Sequence, residues 1–252
     1  MVQVIFEVTW RCPCRCPHCT VPKADVDMSL EGFARALRLF NEFFGGEVSA
    51  VISGGEPSVS PRLGDYVRCA KRLGSAVTVA TNAYNPWAVI DARPDLIEVS
   101  VDYFMSRHDR NRGVDGLFWR AMGLIEAALG NGIPVAVRAT ALRDNIEDII
   151  SIRRYLDDRG FGDVPVLVMP VRGDCPAKPS EPDLERLRGV KGVFLSDSCP
   201  AGVGSFVVTP ELDVLACIFY RARLGSLRSF KLDEVKGIVD AGRKIPRFPC
   251  EK

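Results

Sequence analysis

The stretch VQVIFEVTWRCPCRCPHCTVPK, residues 2–23, decides how the rest of the chain is read. Its first third is rich in β-branched and aromatic residues and predicts a strand. Directly after that strand the chain sets four cysteines, Cys12, Cys14, Cys16 and Cys19, within eight positions, with prolines and basic residues between them. Disulfides, a zinc site and an iron–sulfur cluster are the chemistries that concentrate thiols in this way. Cys12, Cys16 and Cys19 have the spacing C-x3-C-x2-C. Three thiolates on a tight loop can hold three corners of a cubane and leave the fourth iron open. A closed zinc site needs four ligands, and the four cysteines together with His18 nominally supply them.

Composition narrows the setting. The chain has 252 residues, 47% of them apolar, enough for a substantial core and for one large domain with at most a small appendage. A net charge of +1 gives no support to a nucleic-acid or acidic-membrane partner. No apolar run approaches the length of a membrane span, and MVQVIFEVTW lacks the features of a secretory signal. The expectation is a cytoplasmic protein, a compartment that disfavours structural disulfides and turns nine cysteines toward metal or redox chemistry.

Outward from the opening stretch, strand and helix patterns alternate. SLEGFARALRLFNEFF is an amphipathic helix with Leu30, Phe33, Leu37 and Phe40 on one side. VSAVISGG, AVTVATN, LIEVSVDY, IPVAVRATAL and VPVLVMPV read as further strands, each followed by a helical pattern. The strands read as near-continuous apolar runs, which predicts a parallel sheet covered by helices. Six such units predict an α/β fold, a partial (β/α)6 TIM-like barrel. After about residue 197 the pattern changes: SFVVTPELDVLACIFY predicts a β-hairpin turning near Pro210 to Leu212, and KLDEVKGIVDAGRK a helix. The expected organisation is a barrel over residues 1–197 and a small hairpin-plus-helix extension over 198–252.

The cysteine loop leaves the carboxyl end of the first strand, where ligands bind in such architectures. The second strand ends in ISGGEPSV, so Gly54, Gly55 and Glu56 arrive at the same end. Two glycines there allow close backbone approach to a ligand. Alone, GGEP is more often just a turn; after a first strand that ends in C-x3-C-x2-C it is a specific signal.

With these motifs the sequence resembles the radical S-adenosylmethionine (SAM) superfamily over nearly its whole length. The resemblance implies that Cys12, Cys16 and Cys19 bind a [4Fe–4S] cluster whose free iron is chelated by SAM, with Cys14 a non-ligand and His18 packing nearby. Gly54, Gly55 and Glu56 match the GGE motif, whose backbone contacts the methionyl amino group of SAM. ATNAYN resembles the end of the third strand, with Asn82 in the motif and Ala83 in place of the usual glycine. VSVDY followed by SRHDRNRG puts Asp102, Asp109 and Arg112 on recurrent polar positions. VRATALRDN puts Arg138 and Asn145 where polar contacts to SAM recur. Read as residues alone, each of these is a loop polar group or a salt bridge.

CPAGVGSFVVTPELDVLAC resembles the opening of the SPASM and twitch extensions, with Leu212 where a glycine is usual. The resemblance implies an auxiliary [4Fe–4S] cluster on Cys199, Cys217 and Cys250, with Cys175 as a fourth ligand or a substrate-side thiol. The bland reading is ordinary buried cysteines, which is also the reading for Cys69. The implied activity is reductive cleavage of SAM to a 5′-deoxyadenosyl radical that abstracts hydrogen from a substrate, with no catalytic side chain required beyond the cluster. A peptide or protein side chain is the leading substrate class and small-molecule cofactor biosynthesis the next. An electron donor such as ferredoxin or flavodoxin is the implied partner. A binding module carrying zinc or a cluster without catalysis is the reading from another class.

Overall fold

The computed structural model describes residues 1–171, 176–196 and 198–246. Among these residues, ten strands form a single sheet in the order β10-β9-β8-β1-β2-β3-β4-β5-β6-β7. The seven strands β1 (Val2–Thr9), β2 (Val48–Gly54), β3 (Ala76–Thr81), β4 (Leu96–Ser100), β5 (Val135–Ala141), β6 (Val166–Pro170) and β7 (Val193–Leu195) run parallel to one another. The covering helices are α1 (Leu30–Phe43), α2 (Leu63–Arg72), α3 (Pro86–Ala92), α4 (Ser106–Arg112), α5 (Leu117–Gly130), α6 (Ile146–Asp158) and α7 (Glu181–Arg188). This is the expected α/β partial barrel, with one more strand than the six read from the sequence; β7, three residues long, carries too little pattern to be seen there.

The C-terminal segment continues that sheet. β8 (Ser205–Val208) pairs parallel with β1, and β9 (Asp213–Leu215) and β10 (Arg223–Ser226) follow antiparallel, with α8 (Leu232–Gly242) after them. The β8–β9 turn forms although Leu212 occupies the glycine position: its φ is +65°, and the turn closes through Leu212 N to Thr209 O at 2.9 Å and Asp213 N to Thr209 Oγ1 at 3.1 Å. A left-handed backbone at a residue with a Cβ costs roughly 1–2 kcal/mol, and the partly buried Leu212 side chain, packed against the core, offsets some of it.

Helix α1 shows why the elements form where they do. Ser29 caps its N-terminus by accepting from Gly32 N at 3.0 Å. Phe33, Ala36, Leu37 and Phe40 recur at helical spacing and are all buried. Phe33 packs on Phe6 of β1 with ring centroids 4.6 Å apart, and Phe40 packs on Phe206 of β8 at 5.7 Å. Truncating Phe33 to alanine would cost about 3–5 kcal/mol.

The two faces of the sheet differ, which corrects the expectation of uniformly apolar strands. Residues that point to the helices are apolar: Val4, Phe6 and Val8 in β1, Ile97 and Val99 in β4, Val137 and Ala139 in β5. The alternate residues face the barrel lumen, and many are polar: Glu7, Thr9, Thr78, Glu98 and Arg138. Strand side chains alternate between faces, so the lumen is a polar interior on an apolar shell. Two ion pairs lie on this face. Arg138 Nε and Nη2 each lie 2.7 Å from the Glu98 carboxylate, and Arg221 Nη1 and Nη2 lie 2.6 and 3.0 Å from Glu7.

Candidate iron–sulfur and SAM site

The cysteine loop, residues 10–28, springs from the end of β1 and is stapled at both ends. Trp10 N donates to Val26 O and Met28 N to Val8 O. Arg11 Nη2 meets Asp27 Oδ2 at 2.5 Å, and the Tyr66 hydroxyl donates to Met28 O. Within the loop, Cys14 is buried while Cys12 and Cys16 are half-buried and Cys19 is exposed. The buried Cys14 thiol donates toward Cys12 and Cys16. That hydrogen bond lowers the Cys12 thiol to about 7 and the Cys16 thiol to about 6, against burial, which raises both; Arg112 and His18 further lower Cys16. The same contacts push Cys14 strongly upward, so it keeps its proton. Thiolates are the metal-binding form of cysteine, and two of the motif sulfurs are thus prepared for metal near neutral pH.

Lys23 lies beside the third motif sulfur. Burial opposes its charge, yet the surrounding Cys12, Cys19 and Cys16 sulfurs hold its pKa above the ordinary lysine value, and its Nζ lies 3.7 Å from Cys19 Sγ. One cation therefore feels all three motif sulfurs. No three described Cys, His, Asp or Glu side chains converge on a point as the ligands of a single ion would. A cubane does not ask for that, because each of its ligands holds a separate iron. The donor set fits an open-cornered cluster better than a closed zinc site.

Gly54 and Gly55 make room for the cysteine loop. A Cβ on Gly54, whose φ is +128°, would stand 2.3 Å from Thr9 O, and one on Gly55 would stand 2.3 Å from Arg11 O. Gly55 N donates to Thr9 O at 2.7 Å and Glu56 N to Arg11 O at 2.9 Å. The motif is thus the seat on which the cysteine loop rests, and its two amide N–H groups are already used. Glu56 is 1% exposed. Its carboxylate accepts from Ser58 N at 2.9 Å, Thr81 Oγ1 at 2.6 Å and Asn82 N at 2.7 Å. Burial raises its pKa, and those hydrogen bonds work against the rise. Asn82, pinned in this way, donates from Nδ2 to Cys14 Sγ at 3.2 Å and toward Cys12 Sγ at 3.7 Å. Ala83, in the position of a missing glycine, has φ +64° and is fully buried.

Asp102, just past β4, is a second hub. It is 2% exposed and lies 2.5 Å from Arg112 Nη2, 3.8 Å from His18 Nε2 and 3.0 Å from the Thr140 N–H it accepts. Burial disfavours its charge, but Arg112 and His18 hold its pKa below the usual carboxylate value. Asn145, also buried, spends its amide on the backbone: Nδ2 donates to Asp102 O and Thr140 O at 2.8 Å each, and Oδ1 accepts from Leu142 N at 2.8 Å. Asp102 and Asn145 thus tie together the loops that follow β4 and β5. Arg138 lies in the lumen with its side chain about one-third exposed, on Glu98.

Sequence reasoning missed His108 and Arg112 as buried groups. SRHDRNR reads as a polar loop, but it is helix α4, and His108 is fully buried with its Nδ1 accepting from Asp102 N at 3.3 Å. Burial and Arg112 lower its pKa to about 3, so the imidazole is neutral.

Of the C-terminal cysteines, Cys199 and Cys217 are half-buried. Gly202 N donates to Ser205 O and Ala216 O, which brings the segments carrying the two cysteines side by side, and Cys217 Sγ accepts from Phe219 N at 3.4 Å. The segment after Cys217 reaches back to the cysteine loop: Thr20 Oγ1 donates to Ile218 O at 2.5 Å. Cys175 and Cys250 lie outside the described residues. Cys69, on α2, is buried, and burial raises its thiol.

A profile of the Radical SAM superfamily matches residues 6–156. The pre-heme d1 synthase of Dinoroseobacter shibae is 30% identical over 167 residues, which cover 62% of this chain and 41% of that protein. The PqqA peptide cyclase of Ruegeria pomeroyi is 30% identical over 164 residues, 59% of this chain and 42% of that one. The chain thus spans about two-fifths of the length of these curated relatives. Among solved structures, Streptococcus suis SuiB bound to its precursor peptide SuiA superposes with a TM-score of 0.76 at 15% identity, covering 97% of this chain and 65% of that one. Native anSMEcpe with bound AdoMet and a peptide superposes at 0.73 with 16% identity, covering 96% and 81%. At such identities the likeness is one of fold. No helix among the described residues is long and apolar enough to cross a membrane.

Proposed function

The chain belongs to the Radical SAM superfamily, and from that premise we propose that it reductively cleaves SAM and uses the resulting radical to abstract hydrogen from a peptide or protein side chain. The observation that carries the proposal is the loop that holds Cys12, Cys16 and Cys19 together, Cys19 N donating to Cys16 O at 3.2 Å and Asn82 reaching toward Cys12 Sγ at 3.7 Å, seated on Gly54 and Gly55 at the carboxyl end of the sheet. Cys12, Cys16 and Cys19 would hold a [4Fe–4S] cluster, which when bound would supply the single electron that reductive cleavage of the SAM sulfonium requires. The protein's own part is to hold and to enclose. Glu56 fixes Asn82 against the loop sulfurs, Asp102 and Asn145 fix the loops after β4 and β5, and the Gly54–Gly55–Glu56 backbone offers carbonyls to the methionyl amino group. Arg138 and Glu98 give the lumen a charged wall on which the rest of SAM is oriented away from bulk water.

A peptide or protein substrate is favoured by relatives and fold neighbours named for peptide chemistry, PqqA peptide cyclase and SuiB with its precursor peptide. Small-molecule cofactor synthesis is the second reading, supported by the pre-heme d1 synthase at the same identity. Cys199 and Cys217, with Cys250, carry an auxiliary [4Fe–4S] cluster in this proposal. A ferredoxin- or flavodoxin-type donor supplies the electron, in a reducing cytoplasm. Anaerobic reconstitution tests the core of it. The expected result is a broad absorbance near ~400 nm from thiolate-to-iron charge transfer, with 5′-deoxyadenosine appearing after reduction in the presence of SAM. Stoichiometric zinc without SAM cleavage would make the protein a binding module instead.

A further inference from the structure

Among the described residues, the buried side-chain nitrogens and oxygens that lack a hydrogen-bond partner are His108 Nε2, Asn111 Nδ2 and Arg112 Nε, and all three sit on α4. Buried polar groups are nearly always satisfied, so three orphans on a seven-residue helix mark a place where an acceptor is missing. Arg112 identifies where it lies. Its backbone carbonyl accepts from Arg15 N at 2.8 Å, directly beside Cys16 in the loop. Its side chain is 7% exposed, and its Nη2 is taken by Asp102, while Nε is left over. The loop reaches the same hub a second time through His18 and Asp102. The guanidinium therefore lies buried under the Cys16 part of the loop with one N–H unspent.

Resting on the reading that Cys12, Cys16 and Cys19 hold a [4Fe–4S] cluster, we infer that Arg112 is a positioning residue that presents a buried positive charge and an Nε–H to the Cys16 sulfur and thereby raises the reduction potential of that cluster. The physical ground is simple. One-electron reduction adds a negative charge to the cluster, and a buried cation with little solvent to screen it favours the reduced form. Hydrogen bonds to ligand sulfurs and local net charge are established levers on cluster potentials. Asp102 fixes the guanidinium through Nη2 and offsets part of its charge, and Nε is the buried nitrogen left without an acceptor.

The test is an electron paramagnetic resonance titration of the anaerobically reconstituted holoprotein, with dithionite as the one-electron reductant and iron counted in each sample. Arg112→Gln should raise the oxidised-to-reduced ratio at a fixed ambient potential about tenfold, a midpoint about 59 mV more negative for a one-electron couple. Because that variant strands Asp102 as an unpaired buried carboxylate, the double variant Arg112→Gln/Asp102→Asn, which removes both charges together, is titrated beside it and should shift in the same direction. A midpoint equal to the parent's in whichever variant retains iron would overturn the inference. Iron-free protein from both, with the parent's circular dichroism, would overturn it too, leaving Arg112 as a residue that only folds the loop. A parent that takes up no iron at all would overturn the functional reading along with it.

Discussion

Around Cys12, Cys16 and Cys19 the protein has buried several ionisable side chains, Glu56, Asp102, His108 and Arg112 among them. Around Cys199 and Cys217 the described contacts are backbone amides, one N–H on the Cys217 sulfur and, four residues on, the Arg221–Glu7 ion pair. Burying charge costs stability unless every partner is in place, so a loop resting on such groups has its geometry set before any metal arrives. The C-terminal hairpin has the one buried carboxylate of Glu7 on Arg221 as its charged support among the described contacts, and the auxiliary cluster proposed for Cys199 and Cys217 would itself have to fix their two half-buried thiols. The first region is held by the protein alone, whereas under the proposed function the second would assemble on its cluster.

The largest expected effect separates the two regions by function. Alanine at Cys12, Cys16 and Cys19 together should reduce 5′-deoxyadenosine formation to background, whereas Cys199→Ala/Cys217→Ala should leave SAM cleavage in place and lose only substrate conversion. Chromatography of the reaction mixtures reads both, and equal loss of 5′-deoxyadenosine in the two variants would break the distinction. Next comes stability. Glu56→Ala strands the buried donors of Ser58, Thr81 and Asn82, at about 1–3 kcal/mol each, so denaturant unfolding should show a loss of about 3 kcal/mol or more. The Cys199→Ala/Cys217→Ala apoprotein should lose no more than about 1 kcal/mol.

A smaller, pH-dependent effect belongs to the preformed region. His108 has its pKa lowered to about 3 in the folded protein, against an ordinary value of 6.5. The unfolded chain then takes up the proton first, so stability is complete above about pH 6.5 and falls as pH drops toward 3, by up to about 1.4 kcal/mol per unit. Asp102 acts in the same sense only below its ordinary value of 3.8, and Glu56, raised by burial, acts in the opposite sense. Comparing urea midpoints of the parent and His108→Gln between pH 7 and 5 isolates the histidine. The expected result is a flatter profile in the variant, and identical slopes would remove His108 from the account. The smallest effect contrasts two left-handed positions, one in each region. Ala83→Gly and Leu212→Gly both relieve a positive φ, but the second also deletes packing against the core. Ala83→Gly should change stability by no more than about 1 kcal/mol, and Leu212→Gly should be the less favourable of the two.

Much of this was legible in the sequence, and the reasons are local. The spacing of Cys12, Cys16 and Cys19, the glycines before Glu56 and the helix-period apolar residues of α1 are short-range patterns, and each lies where the pattern places it. The polar lumen was also written at period two, in Glu7 and Thr9 or Glu98 and Ser100, but the apolar residues between them masked the alternation. The supporting groups were not legible. Arg112 and Asp102 are ten residues apart on a stretch that reads as solvated, and Glu7 meets Arg221 across most of the chain. The Asn145 amide is spent on backbone from two separate loops. Such partners become visible only when the fold has brought them together.

The central claim is tested most directly by electron paramagnetic resonance of dithionite-reduced Cys199→Ala/Cys217→Ala protein, prepared without oxygen and recorded with and without SAM. The account predicts a [4Fe–4S] signal that survives the loss of both C-terminal thiols and changes when SAM is added. A sample with no cluster signal, or one whose signal is indifferent to SAM, would contradict it.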